Sequence, residues 1–209
     1  MGITEKGPRN SHSNNHSSNK HPSRAAQFFL FACNFVKHPN MVGWMLPSSP
    51  FVVDGVLKQV DWDKARVIVE YGPGVGTFTT KVLDRMRPDA TLIALEINPD
   101  FFKFLGKSLQ DPRLHLMQES AADIDAVLSR LGISHVDYVI SGIPFKTLPP
   151  ALRDTIVRKT HAALKPTGSF LVYQLSSVAL PYLESVFGTV KRDFELLSFI
   201  PAHMFYCAR

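Results

Sequence analysis

The sequence predicts an α/β fold: a mostly parallel sheet of seven strands with an antiparallel C-terminal strand. Three observations carry this. From residue 66 onward, short apolar runs alternate with helical patterns, which implies parallel strands joined by right-handed crossovers. A glycine-rich turn, Gly72-Pro73-Gly74-Val75-Gly76, leaves the first of those runs and opens a helix. The last two runs, 190–199 and 203–207, are separated only by a short segment holding Pro201, close enough to pair antiparallel.

In chain order, residues 1–22 are Ser, Asn, His, Lys and Pro with almost nothing apolar, the composition of a disordered tail. Ser23 is placed to cap a helix running to about His38, which Pro39 ends. At 100° per residue, Ala25, Phe28, Phe31, Ala32, Phe35 and Val36 share one face. Such a Phe-rich face suits an interfacial membrane helix, and it suits packing on the chain's own domain equally well. A loop over 39–50 leads to a helix from Phe51 to Val60. Strands follow at 66–71, 91–96, 113–117, 136–141 and 168–174, with helices near 77–87, 98–110, 121–131, 150–164 and 177–187. The chain thus divides into a tail (1–22), a helical region placed as a lid or membrane-facing segment (23–60) and an alternating α/β domain (61–209).

Composition narrows the function classes. The 209 residues are 45% hydrophobic and 20% charged, which is globular. Two cysteines, Cys33 and Cys207, are too few for a disulfide scaffold. No segment has the length and uniformity of a membrane span. Leu30-Phe31-Ala32-Cys33 loosely resembles a lipoprotein cleavage site, but Gln27 interrupts its apolar run and Phe31 is bulky. Export is therefore not expected, and a cytoplasmic location is. The net charge of +5 is uneven. Lys6, Arg9, Lys20, Arg24 and Lys37 oppose only Glu5 in the first forty residues, so the remainder is nearly neutral. That disfavours a broad nucleic-acid surface and favours a basic arm against something anionic. Four histidines in the same stretch lack regular ligand spacing, and no metal is expected.

The glycine turn is the most informative stretch. In Glu70-Tyr71-Gly72-Pro73-Gly74-Val75-Gly76-Thr77 the glycines let backbone pass close to a ligand, and the following helix N-terminus favours polar groups. Glu70 is placed to accept hydrogen bonds from a ligand ammonium. Glu96, ending the second strand, suits both hydroxyls of a ribose.

At these residues the chain resembles the class I S-adenosylmethionine-dependent methyltransferases, with the resemblance running from residue 66 to 209. It implies a Rossmann-like fold and S-adenosylmethionine as cofactor. Gly72, Gly74 and Gly76 would wrap its methionine and ribose portion, Glu96 would bind the ribose, and Glu119, Ser120 and Ala121 would contact adenine. Ser141-Gly142-Ile143-Pro144-Phe145, after the fourth strand, matches the acceptor motif of amino-group methyltransferases. By that match Ser141 and the Ile143 carbonyl hold the attacking amine, and Phe145 packs against it. Tyr173, Tyr206 and His203 are candidate bases or acceptors, with no choice among them. A narrower resemblance, to the bacterial phospholipid N-methyltransferases, extends over Phe28 to Val36, Leu46-Pro47-Ser48-Ser49-Pro50, Val172-Tyr173-Gln174 and Ile200 to Tyr206. It implies methylation of phosphatidylethanolamine or a similar aminolipid. The protein would then attach peripherally to the inner face of an anionic membrane through residues 23–38, with no obligate protein partner. The rival is an adenine-N6 methyltransferase of ribosomal RNA. Its relatives carry Asn where Ser141 stands, and they add a C-terminal RNA-binding domain where this chain ends at Arg209. A non-catalytic membrane-peripheral protein is the remaining alternative.

Overall fold

The computed structural model describes residues 50–195 and 202–209. The expected tail, the 23–38 helix, the Pro-Ser-Ser loop and the far end of the 190–199 strand lie outside them. Helix α1 (Pro50–Leu57) comes first, with Val52, Val53, Val56 and Leu57 buried. Alternation then begins. Strand β1 (Val67–Tyr71), α2 (Thr77–Arg85), β2 (Thr91–Leu95), α3 (Pro99–Ser108), β3 (Leu114–Met117) and α4 (Ile124–Arg130) lead to β4 (Val136–Ser141). After it come α5 (Pro150–Ala163), β5 (Leu164–Gln174), α6 (Leu180–Glu184), β6 (Thr189–Glu195) and β7 (Ala202–Ala208).

The seven strands form one sheet in the order β3-β2-β1-β4-β5-β7-β6. The first five run parallel, and β7 inserts antiparallel between β5 and β6. This is the mixed, Rossmann-like sheet the sequence predicts. Strands β1 and β2 are covered on both faces, which explains their near-continuous apolar runs. One face packs on α1 and α2 through Ile68, Leu92, Ile140 and Leu171. The other packs on α4, α5 and α6 through Val69, Tyr71, Val139, Phe170 and Val172. The Tyr71 hydroxyl meets Thr160 Oγ1 of α5 at 3.1 Å, fixing which face that residue uses. Among the described residues no helix is long and apolar enough to cross a membrane.

Boundaries depart from expectation where local chemistry is special. Strand β5 starts at Leu164, not 168, because Leu164 pairs Val136 ahead of a register shift in β4. Its partner β7 reaches only to Ser169, so Pro166 sits where one edge of β5 is unpaired and no ladder donor is missed. The segments expected as helices over 121–131 and 177–187 each open with a 3₁₀ turn, Ala121–Asp123 and Ser177–Ala179. Strand β6 is described only as far as Glu195.

Candidate active site

The carboxyl ends of β1, β2, β4 and β5 converge on one edge, where open α/β sheets bind ligands. The turn after β1 carries positive φ at Gly72 (68°), Gly74 (56°) and Gly76 (82°). A side chain at Gly76 would place its Cβ 2.7 Å from Leu105, and one at Gly72 would lie 2.9 Å from Ile143. The left-handed φ is what calls for glycine at both positions; the close contacts are to side-chain tips and add only crowding. Gly74 differs. Nothing lies within 4 Å of the position its Cβ would take, so the loop's midpoint faces open space.

Glu96 closes this cradle from below. Its Oε2 accepts from the Gly74 amide at 2.9 Å and its Oε1 from the Asn98 amide at 2.8 Å. The sequence foresaw only a ligand carboxylate here. Each oxygen keeps a further lone-pair direction, so this structural duty leaves room for the expected ribose hydroxyls. Burial raises the Glu96 pKa, opposed by the amides it accepts from. Asn98, which sequence reasoning passed over, caps α3 by accepting from the amides of Asp100 and Phe101, and so fixes where Glu96 stands.

Glu70 lies beneath the same loop with 1% of its surface exposed. Neither carboxylate oxygen has a hydrogen-bonding partner in normal geometry, and the nearby Thr79 hydroxyl is also unpartnered. Burial pushes the Glu70 pKa up to about 8; the proximity of Thr79 opposes this and the Glu96 charge adds to it. Two buried carboxyls near enough for their charges to interact, open space at Gly74 and a helix N-terminus behind it fit a cationic nucleoside such as S-adenosylmethionine.

The adenine segment is more committed than expected. Glu119 is ion-paired with Arg130. The Ser120 side chain accepts from the Ala122 amide to cap the 3₁₀ turn, and Ala121 is buried. Ile97, beside Glu96, exposes large apolar surface instead and was not foreseen.

The acceptor candidates do not share one face of the sheet. Ser141 registers with Tyr71 of β1 and Val172 of β5, which puts its side chain on the α5 side. It is fully buried and its Oγ has no partner. Phe145 is also fully buried, within the core under α5. As folded, it offers no surface to an acceptor, contrary to the expected packing contact. Tyr173 is on the opposite face. Its ring stacks on Phe78 with centroids 4.3 Å apart and covers Gly142, where a Cβ would sit 2.2 Å from the tyrosine oxygen. Gly142 is thus glycine because an aromatic ring occupies its side-chain space. We expect Gly142→Ala to dislodge Tyr173 and lower kcat about tenfold or more, with cofactor affinity changed far less. Steady-state kinetics beside cofactor titration checks this, and an unchanged kcat would contradict it.

Tyr206 is committed to a structural contact. Its hydroxyl donates to the Gly55 carbonyl of α1 at 3.2 Å, so it ties β7 to that helix at mid-strand, away from the carboxyl edge. Tyr206→Phe should cost ~0.5–1.5 kcal/mol in stability, measured by urea unfolding, with kcat intact. His203 pairs with Gln174 across β5 and β7 and lies against the rings of Phe194 and Phe205. Cys207 is buried, which pushes its thiol up to about 12 and leaves it inert at neutral pH.

Comparisons with known proteins agree with this geometry. The family model described as ribosomal RNA adenine dimethylase matches residues 46–145. An ornithine lipid N-methyltransferase from Singulisphaera acidiphila is 31% identical over 182 residues, covering 86% of this chain and 95% of that protein. A dimethyladenosine transferase from Schizosaccharomyces pombe is 22% identical over 133 residues, covering 63% of this chain but 40% of that protein. Among solved structures, human methyltransferase-like protein 13 in complex with S-adenosylhomocysteine (SAH) superposes with a TM-score of 0.59 at 19% identity, covering 76% of this chain and 79% of that one. With the glycine loop, Glu96 and the β4 motif in place, the chain belongs to the class I S-adenosylmethionine-dependent methyltransferases and is related to the lipid N-methyltransferases.

Proposed function

We propose that this protein methylates the amine of an aminolipid, such as an ornithine lipid or phosphatidylethanolamine. One observation carries the site-level reading: the Ser141 Oγ is fully buried and unpartnered at the end of β4, next in register to the end of β1, from which the glycine loop springs. A buried polar atom without a partner is costly, and an amine N–H would satisfy it. When bound, S-adenosylmethionine supplies a methyl group on a cationic sulfonium.

The chain's own residues bind and orient. Glu96 takes the ribose hydroxyls, and Ile97 offers apolar surface to the base. Once the headgroup ammonium has released a proton to water, Ser141 Oγ and the Ile143 carbonyl accept from its two remaining N–H groups, which directs the nitrogen lone pair away from them and toward the donor. Tyr173, held between Phe78 and Gly142, walls off water on the other face. The lipid part of the reading is supported by the relatedness to an ornithine lipid N-methyltransferase over nearly its whole length.

Adenine-N6 methylation of ribosomal RNA is the second reading, favoured by the family model over residues 46–145. One experiment separates the two. The full chain is incubated with methyl-labelled S-adenosylmethionine, vesicles containing phosphatidylethanolamine or ornithine lipid, and ribosomal RNA. Label should enter the aminolipid; label in RNA alone would overturn the lipid assignment. We also infer that residues 23–38 attach the protein to anionic membrane from the cytoplasmic side, on the strength of their Phe-rich face and basic flanks. Vesicle co-sedimentation should fall sharply on deletion of residues 1–38, and undiminished binding would remove that inference.

A further inference from the structure

On the α5 side of the carboxyl edge, three buried polar atoms lack partners: Ser141 Oγ, Gln174 Nε2 and Arg153 Nε. Their placement follows from the fold. Alternation along β5 aligns Gln174 with Phe170 and Val172, whose side chains pack under α5, and Ser141 registers with Val172. Gln174 is therefore one row beyond Ser141 toward the edge. Arg153 stands in the first turn of α5. It donates from Nη2 to the Lys146 carbonyl at 3.0 Å, just past the acceptor motif, and its guanidinium lies 5.7 Å from the Tyr182 ring of α6. The turn Phe145–Thr147 that it holds packs on Ser177–Ala179, the turn just after Gln174. Arginines elsewhere in the described residues typically pair with a carboxylate, as Arg113 does with Asp111. Among the described residues no carboxylate pairs with Arg153, and its Nε is buried without a hydrogen-bond partner.

The geometry points to an oxyanion subsite in which Gln174 Nε2 and Arg153 Nε donate to a phosphate or carboxylate of the same headgroup whose amine rests on Ser141. A lone amine would satisfy Ser141 and leave both donors orphaned. A headgroup carrying an oxyanion a few bonds from its nitrogen satisfies all three, and charge-assisted bonds of this kind are the strong ones. The site thereby selects zwitterionic headgroups over plain alkyl amines. This inference rests on the aminolipid reading.

The test compares phosphatidylethanolamine and ornithine lipid, which carry a phosphate and a carboxylate, with stearylamine, which carries neither, all in phosphatidylcholine vesicles. For each, kcat/KM is measured with the full chain, with Arg153→Gln and with Gln174→Glu. The Glu is isosteric and meets the oxyanion with like charge. The preference for an oxyanion-bearing amine over stearylamine should fall roughly tenfold or more in each variant, while calorimetry shows cofactor affinity close to that of the unaltered chain. Equal losses on all three amines would mean that Arg153 and Gln174 only support the fold, and would overturn the subsite. Arg153→Lys keeps the charge and should recover part of the preference. A chain that binds S-adenosylmethionine but methylates no lipid amine would instead refute the aminolipid reading itself.

Discussion

Replacing Glu96 by Ala should weaken S-adenosylmethionine binding by two to four orders of magnitude. Two charged hydrogen bonds to the ribose are lost, each worth roughly 1.5–3 kcal/mol. The cradle loosens as well, because the amides of Gly74 and Asn98 lose their shared acceptor. Leaving those donors unsatisfied costs about 1–3 kcal/mol apiece wherever water cannot reach them. Glu96→Gln separates the two contributions. Its amide retains one oxygen to accept from backbone, yet it forfeits the charge, so stability should recover more than affinity does. Calorimetric titration and urea unfolding of the same preparations measure both. Unaltered affinity in Glu96→Ala would remove the ribose assignment.

The second large effect concerns Glu70 and pH. Its pKa in the folded protein is about 8, against 4.5 for an ordinary glutamate. Between those values the folded chain holds a proton that the unfolded chain has released. The stability associated with that proton is fully present below pH 4.5, declines as pH rises through the window and is gone above about 8. The loss across the window is roughly 3–5 kcal/mol. Glu70→Gln is neutral at every pH and should flatten this part of the profile. Urea unfolding at pH 5, 6.5 and 8 checks it; a variant with the same slope as the unaltered chain would show that Glu70 does not carry the dependence. A cationic cofactor favours the ionised carboxylate, so its affinity should rise with pH over the upper part of this window, and less so in Glu70→Gln.

Much of the architecture is legible in the residues. Val67 to Tyr71 can only be a strand buried on both faces, and the three glycines after it announce a tight turn into a helix. Where reading the sequence fell short, the reason is three-dimensional. Ser141 and Tyr173 both sit at strand ends near the acceptor motif. Their side chains nevertheless leave opposite faces of the sheet, and the pairing of β4 with β5 that sets this includes a register shift between Val136 and Tyr138 that no local pattern betrays. Phe145 follows a Pro at the end of a strand and looks available, but the Phe145–Thr147 turn folds it under α5. Tyr206 alternates correctly for β7, yet only the packing of α1 reveals what its hydroxyl touches. Gln174 and Arg153 are unremarkable in sequence. Their significance is the absence of partners for buried donors, which a one-dimensional pattern cannot express.

Glu96 shows the converse. An acid at the end of the second strand suggests a ligand contact, and the fold gives it a structural bond to the glycine loop. The structural bond suits the proposed ribose contact, because a carboxylate already fixed by Gly74 and Asn98 would lose little further freedom on meeting a ribose.

The central claim is that the turn leaving β1 holds the methyl donor with its reactive carbon facing Ser141. A crystal structure with SAH bound tests this most directly. We expect both ribose hydroxyls within hydrogen-bonding distance of Glu96, the amino-acid end along Gly72 to Gly76, and the sulfur directed toward Ser141 and the Ile143 carbonyl. A ligand seated elsewhere on the sheet, or one whose sulfur turns away from the end of β4, would contradict the account.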